Sequence, residues 1–236
     1  MSHCIFYNKR RKTKGAKTMK ENKENYYEYT DTQMQQVMDF IDKEFGDTER
    51  KEENWIVHEL TSKYIHTDVV ITGNDDYQHF VTCGMGARNM DCAPIEYQQI
   101  LGRQEYYFLV SPDCELSLED KGLIGGELNS ITKYPFRNNT FLGPGHTINA
   151  SKKFKERFGY DFFVSFAPVK ELDVEGLGNV HFIPLIPICE EEREWMVENN
   201  SFAWIWALPN LGDAMCIDKQ REVFIPNEQE TESIDS

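Results

Sequence analysis

Met34, Val37, Met38, Ile41 and Phe45 fall at i, i+3, i+4, i+7 and i+11. That spacing lines them along one stripe of an α-helix and predicts a helix over Thr30–Phe45. Thr30, Asp31 or Thr32 can cap its start, and Gly46 stands where a left-handed C-terminal residue is wanted. Beyond a charged loop, Asp47–Asn54, the period shortens. Trp55–Leu60 and Tyr64–Thr72 read as strands, and the unbroken β-branched run Val69-Val70-Ile71 is that of a strand covered on both faces. Gly73-Asn74-Asp75-Asp76 turns the chain into His79–Cys83, so the pair reads as a hairpin. Tyr106–Val110 is a further strand, stopped by Ser111-Pro112-Asp113.

Leu118–Lys133 has a helical pattern that Gly122, Gly125 and Gly126 weaken. Tyr160–Ala167 and Val180–Ile188 are strands, and Pro184 and Pro187, which lack an amide hydrogen, put the latter at a sheet edge or end it early. Glu190–Leu208 reads as a helix with a break near Asn199-Asn200, its apolar residues Trp195, Met196, Phe202, Ala203 and Trp206 serving the core. Ile217–Pro226 adds a last strand. No segment repeats. Helices at both ends of such a strand order predict an α+β fold, a single domain with a mixed, mostly antiparallel sheet flanked by helices, over residues 26–226. Residues 1–25 are expected to be a disordered basic leader and 227–236 a disordered acidic tail.

Charge changes the picture. The 236 residues carry a net −15, but Lys9, Arg10, Arg11, Lys12, Lys14, Lys17 and Lys20 place +7 in the first twenty and Glu228, Glu230, Glu232 and Asp235 place −4 in the last ten. The body, 21–226, therefore holds −18. Phosphate backbones would repel such a body, which excludes nucleic acid as the general partner and favours a basic protein. No run approaches the 18 apolar residues of a membrane span. The six cysteines form no Cys-x-x-Cys pair and no His-x₃₋₅-His follows, so no metal or other cofactor is expected. Free thiols suit a reducing compartment, and the short apolar stretch Cys4–Tyr7 precedes the basic block, the reverse of a signal peptide. A cytoplasmic protein follows. Codons for Lys14-Gly15-Ala16 can spell a bacterial ribosome-binding sequence just before Met19, so Met19 is the expected start in the cell.

Two loops are unusual. Thr82-Cys83-Gly84-Met85-Gly86-Ala87-Arg88-Asn89-Met90 follows a strand, and its glycines permit positive φ and close backbone approach. It could cradle a phosphate, although it lacks the Gly-Lys-Ser/Thr ending of a P-loop. Leu142-Gly143-Pro144-Gly145-His146-Thr147-Ile148 is a second tight loop. An enzyme would pair Cys83 as nucleophile with His146 as base. A bland reading has the two loops adjacent and bracing each other, with Arg88 hydrogen-bonding carbonyls or an acidic neighbour across their junction.

These loops, together with Tyr64-Ile65-His66-Thr67-Asp68-Val69-Val70 and with Pro184-Leu185-Ile186-Pro187 before the acidic helix, resemble the suppressor of fused domain family from about Met34 to Leu208. The resemblance implies an α+β domain with a mixed sheet, used for protein binding and without established catalysis. In animals, members restrain a transcription factor by gripping a short peptide between two domains, whereas single-domain bacterial relatives are thought to be immunity proteins that neutralise toxins.

The acidic body fits the second setting, with an intracellular regulatory scaffold binding a peptide as the alternative and a small Cys/His enzyme as the least favoured. The expectation is a non-catalytic immunity protein that binds a basic toxin, such as a nuclease, stoichiometrically. Its candidate binding residues are Met85 and Arg88 in the first loop, His146 and Thr147 in the second, and Glu190, Glu191, Glu192 and Glu194 on the last helix. No catalytic or metal-ligating residue is assigned.

Overall fold

The computed structural model describes residues 27–46, 56–57, 64–73, 76–199, 215–218 and 221–225. The leader, the acidic tail, Asp47–Asn54 and the stretch from Asn200 to Leu208 lie outside the described residues. Thr30 caps helix α1 (Asp31–Phe45): its hydroxyl accepts from the Gln33 amide while the Gln33 side chain accepts from the Thr30 amide. Gly46 follows the helix with a positive φ of +114°, but its ψ of 156° takes it out of the left-handed helical conformation expected there. Val37, Ile41 and Phe45 are the buried stripe.

The strands are β1 (Ile56–Val57), β2 (Asp68–Gly73), β3 (Gln78–Cys83), β4 (Gln104–Val110), β5 (Thr147–Asn149), β6 (Phe162–Ser165), β7 (Lys170–Val174), β8 (Gly178–Ile188) and β9 (Cys216–Ile217). They form one sheet in the order β1-β2-β3-β4-β8-β6-β5, with β7 beside β8 and β9 beside β4. Every pairing is antiparallel except β4 with β8 and β4 with β9. The hairpin read from Gly73–Asp76 is present, with Val70 opposite Val81.

Helices cover both faces. On one side lie α3 (Leu118–Thr132) and α5 (Lys152–Phe158), whose Ile124, Leu128, Ile131, Phe154 and Phe158 meet Val69, Ile71, Phe80, Tyr106, Phe108 and Leu185. On the other, α1 packs on Val70, Val81, Tyr107 and Phe182, and α6 (Glu190–Glu198) places Met196 among Val164, Ile186 and Ile188. Val69 and Ile71 therefore face one helical layer and Val70 the other, which is why that run carries no polar residue. Each such apolar side chain contributes roughly 1.5–3 kcal/mol on burial. The short helices α2 (Gln98–Leu101) and α4 (Tyr134–Asn138) cap the end where the two loops gather.

Two readings need correction. β8 is no edge strand: β4 and β7 flank its first half, and β6 pairs with its second. Pro184 fits because the β4 ladder runs from His181 to Pro184 and stops, so its missing amide falls where a neighbour is handed over, and Pro187 lies beyond that ladder, opposite Phe163 of β6. The last strand is only Cys216–Ile217, and residues 221–225 are irregular, held by Arg221 and Phe224 to Glu192. α6 stops at Glu198 with Asn199 as its cap, at the break expected near Asn199-Asn200. α5 and β7 have no counterpart in the sequence reading, for α5 is a short basic helix and β7 (Lys-Glu-Leu-Asp-Val) is a mostly polar strand.

Candidate functional site

Both glycine loops converge on the N-terminal end of β4. Glu105, fully buried, points from β4 into the first loop. One carboxylate oxygen accepts from the Gly84 amide at 2.8 Å, the Gly86 amide at 3.0 Å and the Tyr29 hydroxyl at 2.8 Å. The other accepts from the Met85 amide at 3.2 Å and from the Thr82 hydroxyl, which itself accepts from the Tyr106 amide. Arg103 completes the clamp, donating to the Gly86 and Ala87 carbonyls at 2.8 and 2.9 Å. A nest of consecutive amides does form, as a phosphate-binding loop would need, but its anion is the protein's own glutamate. The phosphate-cradle reading is thereby overturned.

The glycines are dictated by this contact. Gly84 sits at φ +137°, and a Cβ on it would lie 2.1 Å from the His66 carbonyl oxygen. A Cβ on Gly86 would lie 2.3 Å from the Tyr29 hydroxyl. Burial pushes the Glu105 carboxyl up from its ordinary range, while the bonds from Thr82, Gly86, Gly84 and Tyr29 work the other way. Tyr29 is in turn held well above the ordinary phenol value, first by burial and then by Glu105.

Gln104, on the opposite face of β4, holds the second loop by donating to the Leu142 carbonyl at 3.0 Å. Leu101 packs where Gly143 would carry a Cβ. Within that loop the His146 ring stacks on Phe141 and accepts from the Gly143 amide at 3.3 Å, leaving His146 exposed. Thr147 is exposed on β5 at the end of the sheet. Arg88 lies against the Tyr27 and Phe136 rings, 4.9 and 4.7 Å from their centroids, and donates to the Tyr64 carbonyl at 3.4 Å. Met85 is 1% exposed and belongs to the core, so it offers no binding surface.

The acidic helix divides. Glu190, Glu191 and Glu194 are exposed. Glu192 is buried and forms a two-pronged pair with Arg221, at 2.7 and 2.8 Å, while accepting from the Cys189 and Phe224 amides. It is an internal tie rather than part of a surface patch, because its capping position turns it back toward the helix start.

A Cys83–His146 couple is not assembled. The Cys83 thiol faces Met34 of α1 at 3.1 Å, and burial, then Glu105, pushes its pKa well above the ordinary thiol value. The His146 ring meets Gly143 and Phe141. Among the described residues no cluster of His, Cys, Asp or Glu could hold a metal, and no helix is long and apolar enough to cross a membrane. The five described cysteines are free thiols.

The described residues thus form a three-layer α+β domain with two loops locked at one end of a mixed sheet. The family model of the suppressor of fused protein matches residues 63–222, well over half of the chain. The chain belongs to the suppressor of fused family. Among solved structures it is similar to the Sufu–Fu complex, with a TM-score of 0.52 and 13% identity over 82% of this chain and 93% of that one. It is also similar to Drosophila Suppressor of Fused, with a TM-score of 0.53 and 14% identity over 86% of this chain and 54% of that one. The chain thus spans about half of the Drosophila structure. No curated protein matches it.

Proposed function

We propose that this chain is a non-catalytic protein-binding domain that neutralises a basic toxin by stoichiometric binding, as an immunity protein of a bacterial cell. The observation that carries the reading is the −18 of the body, in a family with a member solved in complex with a protein. A toxin that attacks nucleic acid is basic for that purpose, so an acidic domain competes for the same surface. Opposite charges also speed capture by steering, which matters when a few toxin molecules suffice to kill. The contact face is the exposed part of the α6 first turn, Glu190, Glu191 and Glu194, and the domain works in the cytoplasm.

The direct trial is co-expression with the product of the adjacent gene. Rescue of growth and a one-to-one complex are expected, and continued cell death beside a folded, abundant domain rejects the proposal. Charge reversal at Glu191 and Glu194 should slow association several-fold with little change in dissociation, and the on-rate should fall steeply as salt passes about 0.15 M.

A further inference from the structure

Arginines in so acidic a domain should find carboxylates. Among the described residues Arg157 pairs with Asp120, Arg193 with Glu190 and Arg221 with Glu192, while Arg103 is held by two carbonyls. Arg88, which donates to the Tyr64 carbonyl, and Arg137 likewise have no carboxylate partner among the described residues. Arg88 lies against Phe136, and Arg137 is the next residue along α4. Lys133, at the start of the same helix, is one turn before both Phe136 and Arg137. The Arg88 guanidinium thus packs on a short helix that also carries Lys133 and Arg137, on a body that is otherwise strongly negative.

The chemistry of the cluster is specific. A guanidinium lying against two aromatic rings is fixed in orientation and poorly hydrated over its faces, and its donors lie in plane, where they match the fork of a carboxylate. Tyr27, which touches the Arg88 guanidinium, and Tyr134, the first residue of α4, are 41% and 43% exposed and offer apolar surface. Burial, and after it Arg137, holds the Lys133 pKa down to about 8, so Arg137 stands close enough to Lys133 to be felt.

We infer that Arg88, Arg137 and Lys133, with Tyr27, Phe136 and Tyr134, form a docking surface for an acidic segment of a protein partner, a carboxylate in the Arg88 fork flanked by an apolar side chain. The acidic content follows from charge complementarity, and the apolar flank from the exposed tyrosines. This surface does not rest on the toxin reading: a basic face is repelled here and is taken by the α6 carboxylates, so the two ends of the molecule select opposite chemistry.

The test pans a random dodecapeptide library on the wild-type domain and on the Arg88→Gln/Arg137→Gln double variant, then measures the best peptide by fluorescence anisotropy. Sequences rich in Asp and Glu beside an aromatic or Leu should be enriched on the wild type and lost on the double variant, with affinity down at least about tenfold. Arg88→Lys, which keeps charge but not the fork, should still weaken binding about threefold or more. Arg137 is exposed, so Arg137→Gln alone keeps the fold and should weaken the peptide about threefold, which carries the test if Arg88→Gln impairs folding. Recovery of no acidic sequences, or equal binding of them to the variants, overturns the inference. Recovery of lysine- and arginine-rich peptides alone overturns it while leaving the acidic-face reading intact.

Discussion

Glu105 and Glu192 are both carboxylates withdrawn from water, and they are held in opposite ways. Glu105 has no cation in contact: three backbone amides and two hydroxyls supply its donors. Glu192 shares its charge with the Arg221 guanidinium and adds only two amides. The difference decides which of them can be replaced. An ion pair disappears as a unit if both side chains become apolar, and such swaps are often nearly neutral. Backbone amides cannot be mutated away, so a loop wrapped around a carboxylate keeps its unmet donors whatever takes that carboxylate's place.

The largest expected effect is therefore Glu105→Ala. Three amides and two hydroxyls lose their acceptor, costing about 4 kcal/mol or more, enough to unfold a domain of ordinary stability. Urea denaturation with far-ultraviolet circular dichroism reads this, and a loss below about 1 kcal/mol would show that water replaces the carboxylate. Arg221→Met should come next at about 3–5 kcal/mol, because it strands a buried charge, while adding Glu192→Leu should recover part of the loss, the orphaned Cys189 and Phe224 amides holding back the rest. If the double variant is no better than the single, the two carboxylates are alike after all.

A third buried ionisable group sharpens the contrast, since the His79 imidazole leaves its Nδ1 without any hydrogen-bond partner. Burial, helped by Lys170, holds its pKa down to about 4. The unfolded chain binds that proton near the ordinary pH 6.5, so stability is fully present above that value and is lost as pH falls toward 4. The loss reaches roughly 3 kcal/mol, and His79→Leu should flatten that part of the pH–stability profile. Gly86→Ala pushes a methyl against Tyr29 and should cost about 2 kcal/mol, against about 1 for Gly159→Ala, which has open space but a φ of +85°. The smallest effect is Thr30→Ala, which removes one cap and about 1 kcal/mol.

What could be read from the chain follows the same division. α1 was legible because one stripe and one cap specify it, and the β2–β3 hairpin because Val69-Val70-Ile71 and a turn do so locally. Glu105 was missed although the signal was present: a lone acid in Gln-Glu-Tyr-Tyr-Phe-Leu-Val, inside a strand buried along nearly its whole length. Such an acid needs donors, and the glycine loop that supplies them stands just upstream. Glu192 was misread because four acids in five positions look equivalent until a helix start gives each its own direction. The change of partner along β8 depends on strands far apart in the chain, so Pro184 could only be read as a local obstacle.

That strand also sets the order in which the molecule is made. A chain leaving the ribosome completes β1 to β4 early, and those strands can pair among themselves. The open side of β4 then has to wait while α3, α4, β5, α5, β6 and β7 are synthesised, because its parallel neighbours are β8 and β9. At about 5–20 residues per second the wait lasts several seconds, during which Tyr106, Tyr107 and Phe108 line an unpaired edge. Slow translation between Val110 and Gly178 should lengthen that exposure and raise aggregation, while speeding the same stretch should raise the yield of folded protein.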